Sequence, residues 1–129
     1  MITQLFRPVG LYEFEKIMAS EFKAFPPRLP EQPIFYPVLN MEYASQIARD
    51  WNTVDKLSGY CGFVTSFDMN SHYLEKFKVQ QVGAGVHKEL WVPADKLEEF
   101  NSEIIGKIRI INIFYGEQYE GPKYEEVIL

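Results

Sequence analysis

The stretch VHKELWVP, residues 86–93, gathers side chains that could do chemistry on one side of an alternating pattern. Val86, Leu90 and Val92 fall on one face of a strand, with the stem of Lys88 between them. His87, Glu89 and Trp91 fall on the other. A carboxylate between an imidazole and an indole is an unusual face to point at water alone. An aromatic ring can stack on a flat ligand while the neighbouring carboxylate holds a positive charge. The pattern also fits an edge strand with a solvated glutamate and a tryptophan covering a neighbouring helix. A second candidate is Arg7, in Leu5-Phe6-Arg7-Pro8-Val9. An arginine in so apolar a strand must bring its head to water or to a partner. It either pairs with a surface carboxylate or aims at a phosphate or carboxylate ligand.

The elements that must position these groups are legible from periodicity. Residues 5–9 read as a short strand broken by its proline, and Gly10 then opens a helix. Leu11, Phe14, Ile17 and Met18 recur at helical spacing, with Glu13, Glu15 and Lys16 facing out, until the helix fades near Ser20. Residues 25–37, FPPRLPEQPIFYP, hold five prolines and cannot form a regular helix. Phe25, Leu29, Ile34, Phe35 and Tyr36 need burial, so this is an ordered loop running into a short strand at 34–36. It either rims a site or is a plain crossover. Asn40 caps a helix whose stripe is Met41, Ala44, Ile47, Ala48 and Trp51, and a polar loop follows at 53–59.

Residues 60–68 read as a strand with Cys61, Phe63, Thr65 and Phe67 on one face and Tyr60, Gly62, Val64 and Ser66 on the other. A turn and short helix over 68–77, capped by Asn70 or Ser71, lead to a strand at 78–82. Gly83-Ala84-Gly85 then turns the chain into the strand at 86–93. A capped helix after Pro93 points Leu97 and Phe100 inward and closes at Asn101. A last strand spans 104–115, and the acidic tail 117–129 is peripheral. Hairpins dominate the second half, which argues an α+β single domain over 1–129 and not a doubly wound parallel sheet.

Composition narrows the function. Hydrophobic residues make up 47% of the 129, enough to build a core without staples. Net charge is -5, and thirteen basic residues are scattered among eighteen acidic ones, so no generic nucleic-acid groove is expected. Cys61 is the single cysteine, so no internal disulfide forms, in keeping with a reducing compartment. The N-terminus lacks the pattern of a signal peptide, and no apolar run approaches the ~20 residues a membrane span needs. A cytoplasmic protein is expected, with no membrane partner. Gly83-Ala84-Gly85 is not a dinucleotide fingerprint, and neither a Walker loop nor a nucleophile elbow is present. Cys61, His72 and His87 lack zinc-like spacing, so no metal is expected. Cys61 sits in an apolar strand and reads as buried instead of nucleophilic.

In order, the pieces resemble the ADP-ribosyltransferase-like fold. Leu5-Phe6-Arg7 is similar to that family's arginine-bearing first strand. Ile34-Phe35-Tyr36 followed by MEYASQIARDW resembles its aromatic strand and alanine-rich helix. His87-Lys88-Glu89-Leu90-Trp91-Val92-Pro93 resembles the strand bearing its catalytic glutamate. Over roughly residues 5–108 the chain also resembles short bacterial proteins often labelled "ADP-ribosylation/crystallin J1", with strings like FPPRLPEQPIFYPVLN and IARDWNT. The resemblance implies a split, twisted β-sheet with flanking short helices. It also implies a transferase that uses NAD as substrate.

Under that resemblance Glu89 matches the catalytic glutamate and would stabilise an oxocarbenium-like transition state. Arg7 matches the residue that holds the dinucleotide, and Tyr36 or Trp91 would stack on the nicotinamide. Thr65 and Ser66 are similar to part of the serine-threonine-serine strand. His87 stands where the family has a Glu or Gln, beside the dinucleotide. The acceptor would be a protein, a nucleic-acid end or a small molecule. Two other classes fit the same chain. One is a non-catalytic module that binds a nucleotide or ADP-ribose. The other is a protein-interaction domain that uses the acidic tail and the proline loop.

Overall fold

A computed structural model describes residues 1–83, Gly85 and residues 87–125. Ala84 in the expected turn, Val86 on the expected apolar face and the end of the acidic tail lie outside the described residues.

The first strand, β1 (Ile2–Val9), is longer than its apolar run suggested and continues through Pro8. It pairs antiparallel with β3 (Cys61–Asn70), from Ile2 opposite Asn70 to Val9 opposite Phe63. The proline does not break it because of parity. Phe6 exchanges backbone bonds with Val38 on the edge away from β3. Pro8, two residues on, turns its nitrogen to that same edge, so no bond to β3 is lost.

Gly10 leads into α1 (Leu11–Ala19), whose Phe14 and Ile17 are fully buried. A Cβ on Gly10 would stand 2.6 Å from the Ser58 backbone, so this close crossing requires glycine. Phe14 stacks on Phe63 of β3 with ring centroids 4.0 Å apart. Such a pair adds about 0.5–1.5 kcal/mol beyond its burial.

The proline-dense passage is anchored at both ends by buried rings. Phe25 lies 5.1 Å from Phe35 and 5.0 Å from Phe67. The Asn101 side chain bonds both the N–H and the carbonyl of Phe25, at 2.9 Å each. That use, and not helix closure, is what occupies Asn101. The passage ends in β2 (Ile34–Phe35). Asn40 then caps α2 (Met41–Asp50), its Oδ1 accepting from the Tyr43 N–H at 2.7 Å. Ala44 and Ala48 are sealed against Val64 and Val38. The helix meets β3 through these small residues, so the large ends of its stripe overshoot the sheet. Met41 is 53% and Trp51 58% exposed. The loop after α2 is two 3-10 turns, Asn52–Val54 and Lys56–Ser58.

β3 is central in the order β1-β3-β7, with β7 spanning Ile104–Tyr115, and it is buried on both faces because Phe14 of α1 covers Phe63 on one and Ala44 and Ala48 of α2 cover Val64 on the other. Asn70 caps the short α3 (Ser71–Leu74). β4 (Val79–Gln81) and β5 (Lys88–Leu90) form an antiparallel pair. The expected single strand over 86–93 is two strands. β5 ends at Leu90, and β6 (Val92–Pro93) pairs with β2 instead. The cause is a change of partner. Leu90 donates to Pro37 O and Leu39 to Lys88 O, whereas Val92 lies opposite Phe35. Trp91 stands at the switch.

A 3-10 turn, Ala94–Lys96, precedes α4 (Leu97–Ser102), which has no side-chain cap but buries Leu97 and Phe100 as expected. The tail is not peripheral over its described part. Tyr124 meets Phe14 edge-on at 5.0 Å, and its N–H donates to the Tyr115 hydroxyl at 2.7 Å. The whole is a small single-domain α+β protein of short helices and antiparallel sheets. Among the described residues no helix is long and apolar enough to cross a membrane.

Candidate functional site

β1, the proline passage and β5 meet at residue 38, which bridges Phe6 on one side and Glu89 on the other. That crossing leaves a cleft of about 420 Å³. Arg7, Tyr36 and Glu89 all line it, from three separate stretches of chain, with Glu13, Arg28 and Gln32 beside them. The volume falls within the range of small-molecule sites, about 300–1,000 Å³.

Glu89 is 9% exposed. Trp91 donates its indole N–H to Oε1 at 2.8 Å, and Tyr43 donates its hydroxyl to Oε2 at 3.3 Å. No cation pairs with this carboxylate among the described residues. The Tyr43 phenol is pushed up from its usual value, first by burial and then by the charge and hydrogen bond of Glu89. Arg7 has the opposite environment. Its Nε and Nη2 donate to the two Glu13 oxygens at 2.7 and 2.9 Å, a bidentate pair that neutralises it. Nη1 reaches the Tyr36 carbonyl at 3.4 Å, and the guanidinium lies 4.5 Å over the Phe35 ring. Of the two outcomes open to Arg7, carboxylate pairing is the one realised, with a carboxylate on the first turn of α1.

The remaining candidates divide. Tyr36 is 38% exposed at the cleft mouth, its ring edge-on to Trp91 at 6.2 Å. Trp91 itself faces a neighbouring hollow lined by Lys76, Phe77 and Lys78, and meets the cleft only through its contacts with Tyr36 and Glu89. His87 sits outside the cleft, with Nε2 3.1 Å from Gln46 Oε1 and its ring 4.7 Å from Tyr43. Thr65 and Ser66 are fully buried, which corrects their assignment to a ligand. Thr65 Oγ1 donates to the Arg7 carbonyl, and Ser66 Oγ accepts from Gln4 and Arg109. A central strand covered on both faces has no side chain to spare for a cleft. Cys61 is likewise sealed, and burial with the nearby Glu15 charge pushes its thiol up to about 12. It is no nucleophile at neutral pH.

Sequence reasoning missed Glu13, Arg28 and Gln32. The one signal was the setting of Arg28 and Gln32 in a proline loop already read as a candidate rim. Glu13 gave none, since it sits on the helix face opposite the apolar stripe. The far wall holds Asn52, Asp55 and Ser58. Asn52 donates to Ser58 Oγ at 2.9 Å, and Ser58 donates to Asp55 at 2.6 Å. This direction leaves Asn52 Oδ1 buried with no partner among the described residues. Such an atom carries a cost of about 1–3 kcal/mol. No group of His, Cys, Asp and Glu able to hold a metal ion occurs among the described residues. No protein-family model matches the chain, and no curated protein and no solved structure matches it significantly.

Proposed function

We propose that the cleft binds NAD and that Glu89 supports transfer of the ADP-ribosyl group to an acceptor, on an ADP-ribosyltransferase-like fold. The observation that carries this reading is the meeting of Arg7, Tyr36 and Glu89 in one cleft, with Glu89 unpaired by any cation among the described residues. In the proposed reaction the bond between ribose C1′ and the nicotinamide nitrogen breaks. Its electron pair leaves with nicotinamide, which departs neutral, and positive charge develops on the ribose. The Glu89 carboxylate lies beside that charge, in a site where water is partly excluded and the interaction is strengthened. The acceptor then bonds to C1′ and releases a proton to solvent. Tyr36 stacks on the nicotinamide at the mouth. Trp91 and Tyr43 hold the Glu89 carboxylate in place without touching ligand.

A second reading keeps the cleft and drops the turnover, leaving a nucleotide-binding module. Two observations favour it: Glu13 already neutralises Arg7, and Thr65 and Ser66 are sealed in the core. Incubation with labelled NAD and a panel of proteins, nucleic acids and water as acceptors separates the two. Release of nicotinamide that depends on Glu89 supports transfer. A thermal shift with ADP-ribose and no nicotinamide release supports the binding module. Neither release nor shift rejects both.

A further inference from the structure

We infer that Arg28, and not Arg7, is the cation that takes the phosphate of a ligand in the cleft. Only the choice of a nucleotide rests on the function proposed above; the anion site follows from the residues. Both guanidiniums lie by the ring of the buried Phe35, Arg7 at 4.5 Å and Arg28 at 6.0 Å. They differ in what they are bonded to. Arg7 gives two N–H groups to Glu13 and is neutralised. Arg28 gives Nε to the Ile34 carbonyl at 3.0 Å, and its two Nη groups have no partner among the described residues. That bond aims the free end of a planar fork, the geometry suited to a phosphate.

Arg28 is half-buried, and burial followed by the like charge of Arg7 pushes its pKa down, against the opposing influence of Glu13 and Tyr36. A guanidinium stays charged under such pressure, so it gains from a counter-charge. Gln32 lines the same cleft. Its Oε1 accepts from the Leu29 N–H at 3.1 Å, which leaves its amide N–H groups for a ligand. The carrier loop is preset. A backbone bond from Gln32 N–H to Leu29 O, at 2.8 Å, closes a turn between Pro27 and Pro33. Prolines lower the entropy lost on holding Arg28 in place.

Calorimetric titration of the wild type, Arg28→Gln and Arg28→Lys with pyrophosphate, ADP-ribose and nicotinamide riboside tests the inference. The expected result is that Arg28→Gln weakens pyrophosphate and ADP-ribose about tenfold to a hundredfold, the worth of one or two charge-assisted bonds. Arg28→Lys keeps the charge without the fork and should fall between. The riboside, which carries no phosphate, should bind all three alike. Equal pyrophosphate affinity in wild type and Arg28→Gln overturns the inference, and so does a wild type that binds no phosphate-bearing probe. Should Arg28→Gln fail to fold, wild-type pyrophosphate affinity in Arg28→Lys overturns it equally. Arg28-dependent binding of pyrophosphate with no added affinity for ADP-ribose or NAD sustains the anion site and rejects the nucleotide reading.

Discussion

The cleft is lined by two buried ionisable residues, and they solve the same problem differently. Arg7, 8% exposed, is matched by a full counter-charge, Glu13, in a bidentate pair. Glu89, 9% exposed, is matched only by two neutral donors, Trp91 and Tyr43. A charge cancelled within the protein holds the fold and offers little to a ligand. A charge held by neutral donors has its desolvation partly offset, yet its field still reaches into the cleft. Arg7 is therefore the structural residue of the two, and Glu89 is the one whose charge is left open to a ligand.

The sharpest break in that contrast is Glu89→Gln. Loss of the charge should lower nicotinamide release about 10²–10³-fold, by analogy with removal of a single preorganised donor. The melting temperature should barely move, because the amide oxygen still accepts from Trp91. A large fall in melting temperature with turnover preserved would make Glu89 the structural residue and invert the comparison. Arg7→Gln should do the reverse. It strands the Glu13 carboxylate, and with side chains 10% and 21% exposed the cost should lie near about 2–3 kcal/mol, at or below the range for fully buried pairs. Denaturant midpoints measure it, and an unchanged midpoint would show the pair to be idle.

Glu13→Gln sharpens the contrast instead of breaking it. The fold should lose about 1–2 kcal/mol, less than with Arg7 removed, because Arg7 keeps its Phe35 contact. Arg7, freed of its counter-charge, should raise pyrophosphate affinity several-fold. Unaltered affinity would mean Arg7 does not face the ligand even when released.

The smallest effect concerns Tyr43. Its phenol is raised in the folded protein, so the protonated form is favoured there. Its contribution to stability is present below the unfolded value, about 10, and is lost as pH rises through the folded value. Glu89→Gln removes two of the three causes and leaves burial. Phenolate absorbance should then show the Tyr43 transition moving down toward its ordinary value. A transition that stays put would mean Glu89 exerts no field at Tyr43.

Much of the framework was legible in the sequence because it is local. Asn40 caps its helix through a bond three residues away, Phe14 and Ile17 lie one turn apart on a buried stripe, and residues 104–115 run as the expected final strand. Such features depend on backbone periodicity and neighbouring atoms, which the order of residues specifies. The tertiary structure alone decided which polar groups meet. Arg7 found Glu13 because the turn at Gly10 sends α1 back over the sheet, where Phe14 stacks on Phe63 of β3. Trp91 left the β5 pairing because Val92 had a different partner in Phe35. Thr65 and Ser66, similar to ligand-binding residues in the sequence, were sealed once both faces of β3 were covered. Arg28 reached the cleft because buried Phe25 and Phe35 pin both ends of its loop. Alternation states which faces are apolar. Apart from Glu89 and Trp91, which alternation already put on one face, the partner of a charged side chain is set here by how segments turn and cross in space, and no local pattern carries that information.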